Sequence, residues 1–202
     1  MLIGSSYLSG GGDTDSLQFS VKTDNTGTSN DDQFTLPAVG GPYDVTDWGD
    51  GTSSLAVSGS QTHTYGGGAG TYTITINKIT NNFQPCKFNI GGDRLKLLDI
   101  ENWGNIVWDS CNAAFYGCAN MTISAQDIPD TSNVSSFSTA WRGCTSITTD
   151  FPLIDVSGAT SLQLAWYGCT SQTSFPLIVT TTITNFTDAW YNNKIVNFPQ
   201  ID

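Results

Sequence analysis

From Leu17 the chain alternates apolar and polar residues, with Leu17, Phe19 and Val21 on one face and Gln18, Ser20 and Lys22 on the other. That period of two is the mark of a half-buried strand. A turn-rich stretch, 23–32, follows. Phe34-Thr-Leu36, Tyr43-Asp-Val45 and Thr71-Tyr-Thr-Ile-Thr-Ile76 are each short, β-branched or aromatic, and bounded by Gly, Pro, Asn or Asp. Regularly spaced strands with such punctuation predict a sandwich over residues 17–80.

The second half carries a different pattern, a repeat. Ala114-Phe115-Tyr116-Gly117-Cys118, Ala140-Trp141-Arg142-Gly143-Cys144, Ala165-Trp166-Tyr167-Gly168-Cys169 and Ala189-Trp190-Tyr191-Asn192-Asn193 place their aromatic residues 26, 25 and 24 apart. Pro129, Pro152, Pro176 and Pro199 keep step, separated by 23, 24 and 23 residues. Each unit reads as a helical or irregular turn bearing the aromatic residue, a Gly-Cys corner, a Thr/Ser/Ile stretch and a short F-P-x-I strand, as in Phe151-Pro-Leu-Ile154. A unit this small cannot bury its apolar face alone, so neighbours must stack and align equivalent residues in internal ladders. Phe115, Trp141, Trp166 and Trp190 are then expected in the core, the alternative being an exposed aromatic platform for sugars or partners. Cys118, Cys144 and Cys169 are expected one above another as small buried hydrophobes. Disulfides between successive coils are the sharper alternative; zinc is disfavoured because no C-x2-C pair or nearby histidine exists. Cys86 and Cys111 lie outside the register.

Two motifs resemble known families. Asp47-Trp48-Gly49-Asp50-Gly51, followed by His63-Thr-Tyr65 and Gly70-Thr-Tyr72, resembles the PKD-type domain, whose signature joins a W-G-D-G turn to later H-x-Y and G-x-Y strands. Asp50-Gly51 suits the positive φ of a tight hairpin turn, and Trp48 can bury its ring beside it. The repeat, A-F/W-x-G-C then F-P-x-I-D, resembles the BspA-like, Mycoplasma-type leucine-rich repeats, with Asn102-Trp-Gly104 and Trp108 as their opening coil. Together the resemblances imply a mainly β chain: an immunoglobulin-like β-sandwich followed by a short leucine-rich-repeat-type solenoid. The expected divisions are an N-terminal arm, 1–16, a PKD-like sandwich, 17–80, and a BspA-like solenoid, 81–202. The last unit departs from the pattern by lacking its Gly-Cys.

Composition narrows the chemistry. Only 12% of residues are charged and the net charge is −11, so the phosphate-neutralising surface of a nucleic-acid binder is missing. No segment has the run of apolar residues a membrane helix needs. Met1 to Gly12 lacks the basic and apolar regions of a secretion signal, and Gly10-Gly-Gly12 reads as a flexible linker. His63 is the single histidine, so any nucleophilic triad would have to be built on it; a strand residue is the plainer reading. Asp127, Asp130, Asp150 and Asp155 recur near the repeat strands, and a polysaccharide-degrading enzyme would need such carboxylates in pairs. No cofactor is expected. Calcium on Asp47 and Asp50, or on Asp13, Asp15, Asp31 and Asp32, is weighed against solvated turn carboxylates, which the lack of EF-hand spacing favours.

The domain pair looks like that of surface and virion adhesins of bacteria and their phages. The function expected is therefore a non-enzymatic virion structural protein, a head decoration, head fibre or tail-attached adhesin. Its partners would be other virion proteins, copies of itself, or a host-surface glycan or protein. A bacterial cell-surface adhesin module is the alternative, with an extracellular location in place of the virion.

Overall fold

In the computed structural model, residues 15–79, 83–148, 151 and 153–196 are described. The arm expected at 1–16 therefore lies outside them except for its last two residues, as do Asp13, Asp150, Pro152 and Pro199. Among the described residues the chain is mainly β, with ten strands and no helix. They are β1 (Leu17–Lys22), β2 (Gln33–Leu36), β3 (Val39–Gly40), β4 (Tyr43–Asp47), β5 (Ser54–Val57), β6 (Gln61–Thr64), β7 (Thr71–Lys78), β8 (Phe83–Gln84), β9 (Leu97–Asn102) and β10 (Thr122–Ile123).

One sheet runs in the order β10-β9-β1-β7-β4-β5, and the pairs β2-β6 and β3-β8 form two smaller sheets. The alternation read from Leu17 holds: Leu17, Phe19 and Val21 are fully buried. Phe19 meets Phe34 of β2 edge to face at 6.2 Å, and Tyr43 of β4 stacks on Phe83 of β8 at 4.6 Å, so the small sheets cover the inner face of the large one. Ser20, expected on an open face, is also buried. The reason is topological, because β1 sits centrally with β7 on one side and β9 on the other, antiparallel to both.

Strand β9 lies beyond the boundary expected at residue 80, yet it pairs Phe19 with Ile100 and Val21 with Leu97. The hydrophobic core runs without a break from Leu17 to Ala189. Between the sandwich strands and the repeats, Asp93 and Lys96 are buried and gather the loop 28–35 around them. Asp93 Oδ1 accepts from the amides of Thr28 (2.8 Å) and Ser29 (3.0 Å), and Oδ2 from the amide of Thr35 (2.7 Å) and Ser29 Oγ (2.6 Å). Lys96 Nζ donates to the carbonyls of Ser29, Asn30 and Gln33 at 2.8–3.1 Å. These bonds satisfy a turn-rich segment that has few backbone partners of its own.

The repeats stack through backbone bonds made at their turns. The amides of Phe115, Trp141 and Trp166 donate to the carbonyls of Ala140, Ala165 and Ala189, and those of Gly117, Gly143 and Gly168 to Arg142, Tyr167 and Tyr191. The turns are irregular, which decides between the two forms expected. An earlier coil escaped the sequence reading. The amides of Phe88 and Ile90 donate to the carbonyls of Ala114 and Tyr116, placing Phe88-Asn-Ile-Gly-Gly92 where the motif would lie one repeat earlier.

Two features differ from expectation. Among the described residues, the F-P-x-I segments at Phe151 and Phe175 form no strand; the coils pair at their turns and at isolated bridges, Ser136 with Ser161 and Ser161 with Asn185. Those bridges set offsets of 25 and 24, which align Pro129 with Ile154 and not with Pro152. The first proline is therefore two residues out of step, and its own coil has Ile128 where the later coils have Leu153 and Leu177.

Candidate functional site

The groups of the Asp47–Gly51 turn are engaged within the fold. Strands β4 and β5 are joined by residues 48–53, a wider loop than the tight hairpin expected, closed by the Trp48 amide on the Thr52 carbonyl at 2.9 Å. Gly49 and Gly51 both have positive φ, 91° and 80°. A Cβ at Gly49 would lie 2.8 Å from the backbone of Thr73, so this glycine also lets the turn touch β7. Asp47 Oδ1 accepts from the amides of Gly49 and Gly51, while Asp50 Oδ1 accepts from the amide and hydroxyl of Thr52. This is Asx-turn chemistry, in which a carboxylate replaces a backbone acceptor. Among the described residues no group of three His, Cys, Asp or Glu side chains could hold a metal ion.

Trp48 is buried, with its indole Nε1 donating to Ser54 Oγ at 3.0 Å. His63 stacks flat on it at 4.8 Å, Tyr65 meets His63 edge on at 4.6 Å, and Tyr72 stacks on Tyr65. His63 Nε2 also lies 2.9 Å from Asp50 Oδ2. The histidine thus bridges the turn and the aromatic row, and the carboxylate beside it is held by Thr52.

In the repeats Phe115, Trp141 and Trp166 are core, and Trp190 is partly buried against it. Trp141, Trp166 and Trp190 stack at 5.4 Å with planes within 6° of parallel, and Phe151 and Phe175 meet them edge on. Phe115 continues the row at 6.2 Å. A platform of exposed tryptophans is excluded for Trp141 and Trp166, which are 1% and 0% exposed. Cys118, Cys144 and Cys169 are buried and free, as are Cys86 and Cys111, so no disulfide links successive coils. The later thiols tie one coil to the one before it, Cys144 Sγ donating to the Phe115 carbonyl and Cys169 Sγ to the Trp141 carbonyl, both at 3.1 Å. Burial pushes the Cys169 thiol up to about 12 and holds Cys144 well above the ordinary thiol range.

The recurring carboxylates cap backbone too. Asp127 accepts from the amides of Trp103 and Gly104, Asp130 from Ser132, and Asp155 from Ser157 at 2.8 Å. Hydrogen bonds from Ser157 hold the Asp155 carboxyl below its usual range, the opposite of the shift a general acid needs.

What faces outward was not singled out by sequence. One row is polar and aromatic: Arg142 lies between Tyr116 and Tyr167, its guanidinium carbon 5.0 and 4.9 Å from their centroids, and Tyr167 stacks on Tyr191 at 5.3 Å. The other is apolar. Ile128, Leu153, Leu177 and Val179 are 51–61% exposed and line a shallow groove of about 250 Å³ along the stack.

No family model, curated protein or solved structure matches this chain.

Its function must therefore be argued from these surfaces. Part of the signal for both rows was present in the repeat, at the variable residue of A-F/W-x-G-C and, for Leu153 and Leu177, at the x of F-P-x-I. Which side of the coil each position faces required the tertiary structure.

Proposed function

We propose that this chain is a non-enzymatic virion structural protein of a bacteriophage, a head decoration, head fibre or tail-attached adhesin, acting by binding protein or host surface. In this reading the sandwich is immunoglobulin-like and PKD-like, and the stacked coils are a short leucine-rich-repeat-type solenoid. The observation that carries the proposal is the exposed apolar row Ile128, Leu153, Leu177 and Val179, repeated coil after coil beside an interior built for packing. Apolar side chains that recur in a line on a surface mark an interaction face. The carboxylates and the histidine that chemistry would need are engaged in caps and turns, which supports a binding role over the polysaccharide-degrading one.

The same surface serves the reading as a bacterial cell-surface adhesin module, and the Tyr116-Arg142-Tyr167-Tyr191 row favours it as a contact for glycan or protein. Antibody raised against the recombinant chain separates the two. Gold label on purified phage particles from the source culture is the expected result. Label confined to the cell envelope would move the chain to the adhesin reading, and label on neither would overturn both.

A further inference from the structure

The variable position of A-F/W-x-G-C is tyrosine in three coils and arginine in one: Tyr116, Arg142, Tyr167 and Tyr191. Measured between ring centroids and the guanidinium carbon, successive members of the row are 5.0, 4.9 and 5.3 Å apart. A tyrosine at 142 would extend the ring stack, so packing alone does not call for a cation there. Arg142 lies over a ring on each side, and these contacts hold its guanidinium in place. Among the described residues its N–H groups have no acceptor and it forms no ion pair, although acidic residues outnumber basic ones by 18 to 7.

A second arginine reaches the head of the row. A Cβ on Gly117, next to Tyr116, would lie 2.8 Å from Arg94 Cδ and 3.0 Å from its Nε. Arg94 likewise has no hydrogen bond or ion pair among the described residues, because its neighbour Asp93 is turned into the loop 28–35. Space runs along the row as well: a Cβ on Gly168 would meet nothing within 4 Å, and one on Gly143 only the Cα of Gly117 at 3.9 Å. Glycine suits these positions by its positive φ, and the result is bare backbone that a ligand can approach closely. Guanidinium edges that face outward are the chemistry that takes a carboxylate. The spacing says what carries it. One step of the row, 4.9–5.3 Å, is close to the length of one sugar unit in an extended β-linked polysaccharide, whereas a peptide strand returns to the same face only every ~6.7 Å. The net charge of the chain does not forbid an anion, since exposed carboxylates more than about 8 Å away are largely screened at physiological ionic strength.

We propose that Arg94, Tyr116, Arg142 and Tyr167 form a binding site for an acidic polysaccharide, a run of uronic acid units laid along the stack with Arg142 holding a carboxylate. This deepens the binding role proposed above by naming the class of its ligand, and it rests on that reading of the row as a contact surface. It leaves the apolar row free for a protein partner.

The test is calorimetric titration of the full-length chain with a β-linked oligomannuronate, beside the neutral mannose oligomer of the same linkage and length and an oligoglutamate of equal charge. The mannuronate should bind about tenfold tighter than either, or more. Arg142→Tyr, which keeps a ring in the row, should lose that margin with its melting temperature unchanged, and Arg142→Lys should recover only part of it. Equal binding of the neutral oligomer would overturn the carboxylate contact, equal binding of the oligoglutamate would give the row to an acidic peptide instead, and binding of none of the three would overturn the site. Unchanged affinity in Arg142→Tyr would overturn it too, by placing the ligand elsewhere. Gold label on particles or envelope reads where the chain resides and does not depend on Arg142, so a failure here leaves the broader reading standing and a failure there leaves this site standing.

Discussion

Asp93 and Lys96, three residues apart and both buried, hold the loop 28–35 from two sides. The carboxylate takes the loop's amides and the ammonium takes its carbonyls, so each charge is met by several hydrogen bonds. Gly27 allows the approach, because a Cβ there would lie 2.5 Å from Asp93 Oδ1. The loop belongs to the sandwich and the two charges to the segment leading into β9, so this contact joins parts of the chain more than 60 residues apart.

Lys96→Met should therefore destabilise the whole fold by about 3–5 kcal/mol, since it takes a charged donor from the carbonyls of Ser29, Asn30 and Gln33 and leaves a buried carboxylate without its countercharge. Urea denaturation of the variant beside Asp93→Asn and the double variant measures this. The two changes should couple by about 1–3 kcal/mol, and strict additivity would show that the residues act separately.

Stability should fall in acid. Burial works to raise the Asp93 carboxyl, but hydrogen bonds from Ser29 and Thr35 and the charge of Lys96 outweigh it and leave it below the usual range. Asp109, bonded to Phe83, Asn133 and Lys78, and Asp155 are lowered as well. A carboxyl lowered in the folded state contributes stability above its unfolded value, about 3.9, and loses it as pH falls through the folded value. The urea midpoint should be level between about pH 5 and 8 and drop below about pH 4. Asp155→Asn, a change at an exposed turn, should make that drop shallower.

The five cysteines should resist alkylation in the native state at pH 8 and all react in guanidinium chloride, because burial keeps the thiols protonated and out of reach. A count of free thiols under both conditions checks this. Cys144→Ser, which puts a hydroxyl in an apolar ladder, should cost more than Cys144→Ala.

Each coil carries two left-handed residues. Ala113, Thr139, Leu164 and Asp188 have φ of 51–56°, and Gly117, Gly143, Gly168 and Asn192 have φ of 62–83°. The second position explains the departure in the last unit: asparagine tolerates this conformation better than other side chains, so Asn192 takes the place of the glycine. Thr139→Gly should raise the melting temperature by relieving about 1 kcal/mol of strain, and Gly143→Ala should lower it by a similar amount. Thermal melts followed by circular dichroism read both signs.

Much of this architecture is written in local chemistry. Strand β1 shows in alternation, the repeat in its spacing, and the burial of Trp141, Trp166 and the cysteines in the small size of a unit that must stack to hide them. Contacts set at long range are not legible in that way. Lys96 is a lone lysine between Leu95 and Leu97, unmarked as buried until loop 28–35 closes over it, Ser20 is a surface residue until β9 arrives, and Phe88-Asn-Ile-Gly-Gly92 acts as a coil without the aromatic-Gly-Cys pattern. Pro129 kept an apparent period that the bridges of the next coils shift by two residues. Sequence periodicity determined that the second half stacks, because one coil cannot bury its own apolar side. Only the tertiary structure decided that the stack begins on the edge of the sandwich sheet, because free strand edges and buried charges are satisfied by whatever backbone the whole chain brings beside them.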